Sequence, residues 1–497
     1  MTKVLFAAFE AAPFIKTGGL GDVAGSLPKA INNKDFEVRV IMPKLSAIDE
    51  KYADEMKFIC SFGVPLSWRC EYCGLFSLKL DGVTYYFVDN EHYFKRDRVY
   101  GEFDDGERVA FYSKAVLESI QHMPRFKPDI IHANDWHAAL IPVFLREQYR
   151  QIPEYADIKT VYTIHNLKFQ GKYSESVIAD VCGLQGTPAE GQLRQDDDSA
   201  NYMQGAALYA DYVTTVSPTY AEEICMPYYG EGLDWIFSKR RGNSLVGILN
   251  GIDTKSYDPK TDEYIEANFD KNNISSKKKD KEALQKEMGL EVDGDIPVFA
   301  LVSRLTEQKG LDLVTYNLPK IAQARMQLVI LGVGDINYEE AFGWYAYNYP
   351  GKIAFKKEFN NALSHRIYAG ADVVLVPSRF EPCGLTQMIA MRYGALPLVR
   401  ETGGLKDSVK AYYVFDEEKK ADNSDIANGF SFVNFNADEL MNTIYLSLDM
   451  WYNDKELWKK LMNNAIHEDF SWTKSAKEYR NLYLKLLGKE TNYVKFF

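Results

Sequence analysis

The sequence predicts an α/β protein made of two doubly wound parallel sheets, one in each half of the chain. Three observations predict it. Short apolar runs at residues 4–9, 38–42, 84–88, 130–132, 160–164 and 212–216 alternate with stretches of helical spacing. The order then restarts around residues 247–253, where Leu249, Asn250, Gly251, Ile252 and Asp253 lead into a loop rich in Asp, Pro and Thr. Finally, apolar runs at residues 298–303, 327–331, 373–377 and 396–399 repeat the grammar of the first half. A glycine loop at 402–407 echoes the one at 17–22. Ligands of such sheets bind where strands end, so two domains of this kind predict a deep cleft between facing strand ends.

With 497 residues the chain is long enough for two or three domains with full cores, and its net charge of -12 excludes a general nucleic-acid coat. An anionic substrate must then be met by local cations. The chain enters its first strand within three residues and has no apolar run of membrane-spanning length, so the expectation is a cytoplasmic protein without membrane or nucleic-acid partners. Six scattered cysteines fit a reducing compartment. Cys70 and Cys73 form a lone C-x-x-C with no second pair, and no metal site is expected.

The first strand hands over to a helix through Lys16, Thr17, Gly18, Gly19, Leu20, Gly21 and Asp22. Glycines permit close backbone approach, and the first amides of a helix have no internal partner, so this turn suits an anion, with Lys16 adding positive charge. Gly19, Gly21 and Ala24 also fit a dinucleotide fingerprint. The loop is too long for that tight turn, however, and the second strand ends in Pro43 and Lys44 rather than in an acid for a ribose. Residues 58–89 alternate with period two around Asp81-Gly82 and read as a hairpin insertion. Two further strand ends carry His132, Asn134, Asp135, Trp136 and His137, and Thr163, Ile164, His165, Asn166 and Leu167. Polar groups beside aromatic ones suit a sugar.

The domain boundary is expected near Gly242, giving domains at 1–242 and 243–470, with a helix at 471–497 returning to the first. The lysine-rich stretch 277–286 reads as a solvated helix face. In the second half Arg304 and Lys309 follow a strand and suit a diphosphate, the arginine as a fork and the lysine as a point charge. The richest segment is Pro377-Ser378-Arg379-Phe380-Glu381-Pro382-Cys383-Gly384-Leu385-Thr386. Pro382 suits a first helical turn, which would offer the amides of Gly384, Leu385 and Thr386 to phosphate and put Glu381 at the cleft rim.

These segments together carry a resemblance that spans nearly the whole chain. KTGGLGDVAGSLPKA from Lys16, HANDWHAAL from His132, TIHNLKFQG from Thr163, TTVSPTYAEEI from Thr214, GILNGID from Gly247, SRLTEQKGLDL from Ser303 and PSRFEPCGLTQM from Pro377 resemble the bacterial glycogen synthases. That retaining family includes the plant starch synthases and has the GT-B fold, two Rossmann-like domains facing across a cleft. The resemblance implies transfer of glucose from ADP-glucose, ahead of UDP-glucose, to the nonreducing 4-hydroxyl of an α-1,4-glucan, without a metal or other cofactor. It implies that Lys16, Arg304 and Lys309 meet the diphosphate, with backbone donors from Gly18, Gly19 and the helix after Pro382. His165 is implied beside the glucose, its carbonyl facing the anomeric carbon. Asp22, Asp135, Asn166, Asn250, Glu381 and Cys383 are implied to line the donor site.

Two positions depart from the pattern. A second glutamate eight places after the first, used for ribose in related transferases, is Ile389 here, and the usual tyrosine against the base is Phe359. A phenyl ring stacks on adenine but offers no hydroxyl. The D-x-D at Asp293 to Asp295 precedes a strand instead of ending one. Glu381 is expected to bind sugar hydroxyls and stabilise charge rather than act as nucleophile, because no partner carboxylate defines a double displacement. Two alternatives stay open at this stage: another retaining transferase with a different acceptor, and a catalytically silent glucan-binding protein.

Overall fold

The structure is a computed structural model that describes residues 1–416 and 421–489. It divides into two compact units, Met1–Gly251 together with the segment from Trp472, and Ile252–Ser471. The division falls after Gly251 rather than near Gly242, because the short strand Leu245–Gly247 pairs in parallel with Tyr212–Thr215 and so completes the first sheet.

The first unit holds a nine-stranded sheet. In chain order its strands are β1 (Thr2–Ala7), β2 (Phe36–Pro43), β3 (Lys57–Leu66), β4 (Arg69–Leu80), β5 (Val83–Asp89), β6 (Ile130–Asn134) and β7 (Lys159–Ile164). A small hairpin follows, β8 (Lys172–Ser174) with β9 (Ser199–Asn201), and then β10 (Tyr212–Thr215) and β11 (Leu245–Gly247). The spatial order is β11-β10-β7-β6-β1-β2-β5-β4-β3. All neighbours are parallel except β5-β4 and β4-β3. Residues 58–89 form the expected antiparallel hairpin around Asp81-Gly82, and the main sheet extends through it because β5 pairs in parallel with β2. The turn at Asp81 (φ 48°) and Gly82 (φ 80°) has both central residues left-handed, which matches the twist of the strands it joins.

Parallel strands covered on both faces are apolar where they are covered, and β1 is from its third residue: Val4, Leu5, Phe6 and Ala7 have no exposure. The helix Trp472–Leu486 closes this unit's core with Trp472, Ala476, Tyr479, Leu482 and Tyr483. Its Arg480 donates to the carbonyls of Ala30 (2.9 Å) and Ile31 (3.2 Å) at the C-terminal end of the helix Gly19–Ile31, where a cation is favoured.

The second unit has a six-stranded parallel sheet: β12 (Val298–Val302), β13 (Gln327–Leu331), β14 (Ile353–Lys356), β15 (Val373–Val376), β16 (Leu396–Arg400) and, after a two-stranded ribbon of β17 (Val414–Asp416) and β18 (Ala421–Asp422), β19 (Phe430–Phe432). The order is β14-β13-β12-β15-β16-β19. The helix Lys277–Glu287 corrects the reading of a wholly solvated face, because Lys277, Asp280 and Lys281 are buried. Lys277 donates to the carbonyls of Tyr368 (3.2 Å) and Ala369 (2.7 Å) near the C-terminal end of the helix Asn361–Gly370. Lys281 pairs with Asp372 at 2.8 Å. Burial lowers the Lys277 ammonium to about 8, and those carbonyls give it its partners.

Candidate active site

In each unit the chain leaves a central strand in one direction and returns on its other side, and the loops after those two strands flank the resulting switch point. In the first unit the strands are β1 and β6. The loop after β1 is tied down by Glu10, a buried residue whose Oε2 accepts from the Thr17 amide (2.7 Å) and hydroxyl (2.5 Å) while Oε1 accepts from the Gly21 amide (3.1 Å). Burial raises the Glu10 carboxyl above its ordinary range, and those hydrogen bonds pull the other way. Gly18 is the N-cap of the helix Gly19–Ile31 and has no side chain to cap it. The amides of Gly18, Gly19 and Leu20 make no hydrogen bond among the described residues. A Cβ on Gly18 or Gly19 would meet no atom within 4 Å. Lys16 is part-exposed and pairs with Asp22 at 2.8 Å.

The loop after β6 begins at Asp135, whose backbone is strained at φ 59°, ψ −178°. Burial raises its carboxyl to about 7, although the backbone amides of His165, Asn166 and Trp136 face it and pull the other way. Its Oδ1 has no hydrogen-bond partner. His165, at the end of β7, places Nε2 3.0 Å from Asn134 Oδ1. The Asn134 amide donates to the carbonyls of Ala7 and His132, which leaves Oδ1 as an acceptor and puts the His165 proton on Nε2. Burial lowers this imidazole to about 3, so it is neutral near pH 7, and its backbone carbonyl accepts no hydrogen bond among the described residues. Asn166 turns back to its own loop, accepting from the Lys168 amide at 3.1 Å. Asn250 is buried with an unpartnered Oδ1.

The other two histidines do different work. His132 is a core residue, bonded through Nδ1 to the Tyr483 hydroxyl (2.7 Å) and through Nε2 to Thr163 (2.6 Å). His137 stacks on Phe9 and Trp136, and neither ring nitrogen is bonded. Among the described residues no three His, Cys, Asp or Glu side chains group as metal ligands.

In the second unit the switch point lies between β12 and β15. Arg304 stands just past β12, exposed, with no ion pair among the described residues. Lys309 follows in a short 3-10 turn, Glu307–Lys309, and its Nζ is 2.7 Å from Glu381 Oε2. Ser378, fully buried, donates to the same oxygen at 2.9 Å. Gly310 (φ 67°) lets this turn touch the end of β15, since a Cβ there would lie 2.0 Å from the Pro377 carbonyl oxygen.

Pro382 does not begin a helix. The helix is Thr386–Arg392, with Leu385 as N-cap, because Gly384 first takes a left-handed φ of 73°. The amides of Gly384, Leu385 and Thr386 still make no hydrogen bond among the described residues. Cys383 is buried, and its carbonyl and that of Glu381 are backed by the second glycine loop: a Cβ on Gly403 would lie 2.0 Å from Glu381 O, and one on Gly404 2.1 Å from Cys383 O. Phe359 is 91% exposed in the loop after β14, while Ile389 is in the core at 5%. Asp293, the first acid of D-x-D, caps its own turn ahead of β12 by accepting from the Asp295 amide at 2.8 Å.

Two residues were not singled out by sequence. Ser378 lies two places after the last residue of β15 but has no distinguishing pattern. Glu10 had a signal, an acid directly after an apolar strand and six residues before Lys16.

Known proteins share the sequence and the fold of this chain over nearly its whole length. The family model described as "Starch synthase catalytic domain" matches residues 3–239, and "Glycosyl transferases group 1" matches residues 283–468. The chain is 46% identical to a glycogen synthase of Clostridium novyi over 98% of this chain and all of the relative, and 47% identical to one of Desulfitobacterium hafniense over 97% and 99%. The catalytic domain of starch synthase IV from Arabidopsis thaliana, solved with ADP and acarbose, superimposes with a TM-score of 0.85 at 32% identity, covering 98% of this chain and 99% of that one. A sucrose-phosphate synthase from Thermosynechococcus elongatus shares the fold alone, with a TM-score of 0.61 at 16% identity. Two parallel-sheet units, each with polar loops at its switch point, and this near full-length identity place the chain in the glycogen and starch synthase family of GT-B glycosyltransferases.

Proposed function

We propose that the chain transfers glucose from ADP-glucose to the nonreducing 4-hydroxyl of an α-1,4-glucan, with retention and without a metal ion. The observation that carries this reading is the cation set at the second unit's switch point: Arg304 without an ion pair among the described residues, Lys309 on Glu381, and the amides of Gly384 to Thr386, open among the described residues. A departing nucleoside diphosphate gains negative charge as the glycosidic bond to it breaks, and fixed cations and amides at that position lower the barrier. In this reading Arg304 and Lys309 neutralise the diphosphate, and Lys16 with the open amides of Gly18 and Gly19 adds to that charge. The acceptor's hydroxyl oxygen then bonds the anomeric carbon on the face the diphosphate leaves, and its proton passes to the departing diphosphate oxygen.

The first unit supplies the groups for the glucose. The carbonyl of His165, unencumbered by other donors, faces developing positive charge, and Asp135, Asn166 and Asn250 take hydroxyls. Glu381 already receives Lys309 and Ser378 on one oxygen, which suits a hydroxyl ligand and charge stabiliser and weakens it as a nucleophile. Cys383 and Leu385 shape the same turn, Asp22 holds Lys16, and the bare ring of Phe359 stacks on the base. Support for the donor comes from the plant relative, which was solved with ADP.

The test is incorporation of labelled glucose into glycogen from ADP-glucose and from UDP-glucose, each with a chelator present, followed by digestion with an amylase specific for α-1,4 links. Faster incorporation from ADP-glucose, undiminished by chelator and released by the amylase, is expected. Preference for UDP-glucose, or loss of activity on chelation, would overturn the corresponding part of the proposal.

A further inference from the structure

The loop between β1 and the helix Gly19–Ile31 contains an unusual division of labour among orphan amides. A helix start leaves about four N–H groups without internal partners. Here the N-cap is a glycine without a side-chain acceptor, so a residue from elsewhere must do the capping. Glu10 does part of it. One carboxylate oxygen takes the Gly21 amide in the helix's first turn, and the other takes both the amide and the hydroxyl of Thr17, on the far side of Gly18 and Gly19. The two oxygens therefore clamp both ends of the glycine pair and leave its own amides open.

Glu10 is 3% exposed, so it is not itself a ligand for a substrate. Gly18 and Gly19 have no packing reason to be glycine: a Cβ added to either would have no protein neighbour within 4 Å. The Thr17 hydroxyl carries the clamp one step outward to the Tyr100 hydroxyl at 2.8 Å. Tyr100 in turn lies against Trp136 and His137. The loop holding Tyr100 is itself fixed from below, because buried Asp105 accepts from the amides of Gly101 (2.6 Å) and Glu102 (3.2 Å) and pairs with fully buried Arg108.

We propose that Glu10 is a positioning residue for the donor: it holds the Lys16-to-Gly21 loop in the one conformation that turns the Gly18, Gly19 and Leu20 amides toward a diphosphate. This rests on the donor reading above. A flexible glycine pair would have to be ordered by the ligand itself, at a cost in affinity, and the clamp removes that cost beforehand.

The experiment uses the full chain with Glu10→Gln and Glu10→Ala, and ADP as the probe. Glutamine keeps one acceptor oxygen and turns an NH2 group toward a donor, so half the clamp is lost; alanine removes both halves. Calorimetric ADP affinity is expected to fall about threefold for the glutamine variant and about tenfold for alanine, the latter equal to about 1.4 kcal/mol. Hydrogen exchange at Thr17 and Gly21 should quicken in the same order, while KM for glucan stays at the wild-type value. A role confined to stability would lower the melting temperature and leave the ADP affinity of the folded protein unchanged, and that result, or tighter binding, or unchanged exchange, would overturn the proposal. Failure of the wild-type chain to bind ADP would instead refute the donor reading.

Discussion

Replacing Asp135 by Asn separates the charge of the site from its shape. The two side chains are isosteric, and asparagine tolerates a positive φ about as well as aspartate does, so the strained backbone at φ 59° is left in place. Burial raises the native carboxyl to about 7 from an ordinary 3.8, which means the folded protein binds a proton that the unfolded chain has already lost across that interval. Stability must fall with rising pH wherever the native state holds more protons. The loss therefore starts near pH 3.8, continues to about 7, and is complete above it.

At about 1.36 kcal/mol per tenfold change in proton affinity, the full penalty is about 4 kcal/mol, and about 2–3 kcal/mol of it develops between about pH 5 and about pH 8.5. The neutral histidines have the opposite sign. His132, His137 and His165 are lowered by burial to about 3, so their contribution is present above 6.5 and lost as pH falls toward 3. Both proteins carry those histidines, and the difference between them cancels. Denaturant unfolding of wild type and Asp135→Asn at the two pH values should show the variant gaining about 2–3 kcal/mol on wild type at the higher pH. Parallel pH dependences would refute this reasoning, and would mean that the amides around the carboxyl balance its burial.

Arg304→Ala removes an exposed guanidinium without an ion pair among the described residues, so kcat/KM for the donor should fall about 100-fold or more while the unfolding midpoint is unchanged. Lys309→Ala is expected to cost both, since it strands the buried Glu381 carboxylate; a loss of about 3 kcal/mol in chemical denaturation accompanies the loss of turnover. Phe359→Ala should raise the donor KM about fivefold, the value of about 1 kcal/mol of ring stacking, with no change in melting temperature, because the ring is 91% exposed. Gly404→Ala should destabilise by about 1–3 kcal/mol in urea and lower kcat, because its new methyl would stand 2.1 Å from Cys383 O and push the Glu381 turn.

The fold was legible where burial on two faces leaves an uninterrupted apolar run, as in β1, β12 and β15. It was not legible at β14 and β19, short strands in which Lys356 ends the one apolar run and Ser431 interrupts the other. Lys277 escaped for another reason: composition marks lysines as solvated, and only the approach of the helix Asn361–Gly370 supplies the carbonyls that let this one be buried. The candidate residues were visible as polar types at strand ends. Their pairings were not, because Lys309 and Glu381 are 72 positions apart and meet only through the adjacency of β12 and β15.

The two glycine loops sharpen that distinction. Residues 17–22 and 402–407 share Thr-Gly-Gly-Leu, and both follow a parallel strand into a helix. Sequence treats them alike. A side chain at Gly18 or Gly19 would stand in open space, whereas one at Gly403 or Gly404 would strike the backbone of Glu381 or Cys383. The first pair is glycine without any demand from the protein's own packing, which leaves room for a ligand's approach as its physical reason. The second pair is glycine because Gly404 donates its amide to the carbonyls of Glu381 and Pro382, both at 3.2 Å, and no side chain fits between. One loop leaves its glycines open to approach, and the other uses them to support the turn that carries Glu381.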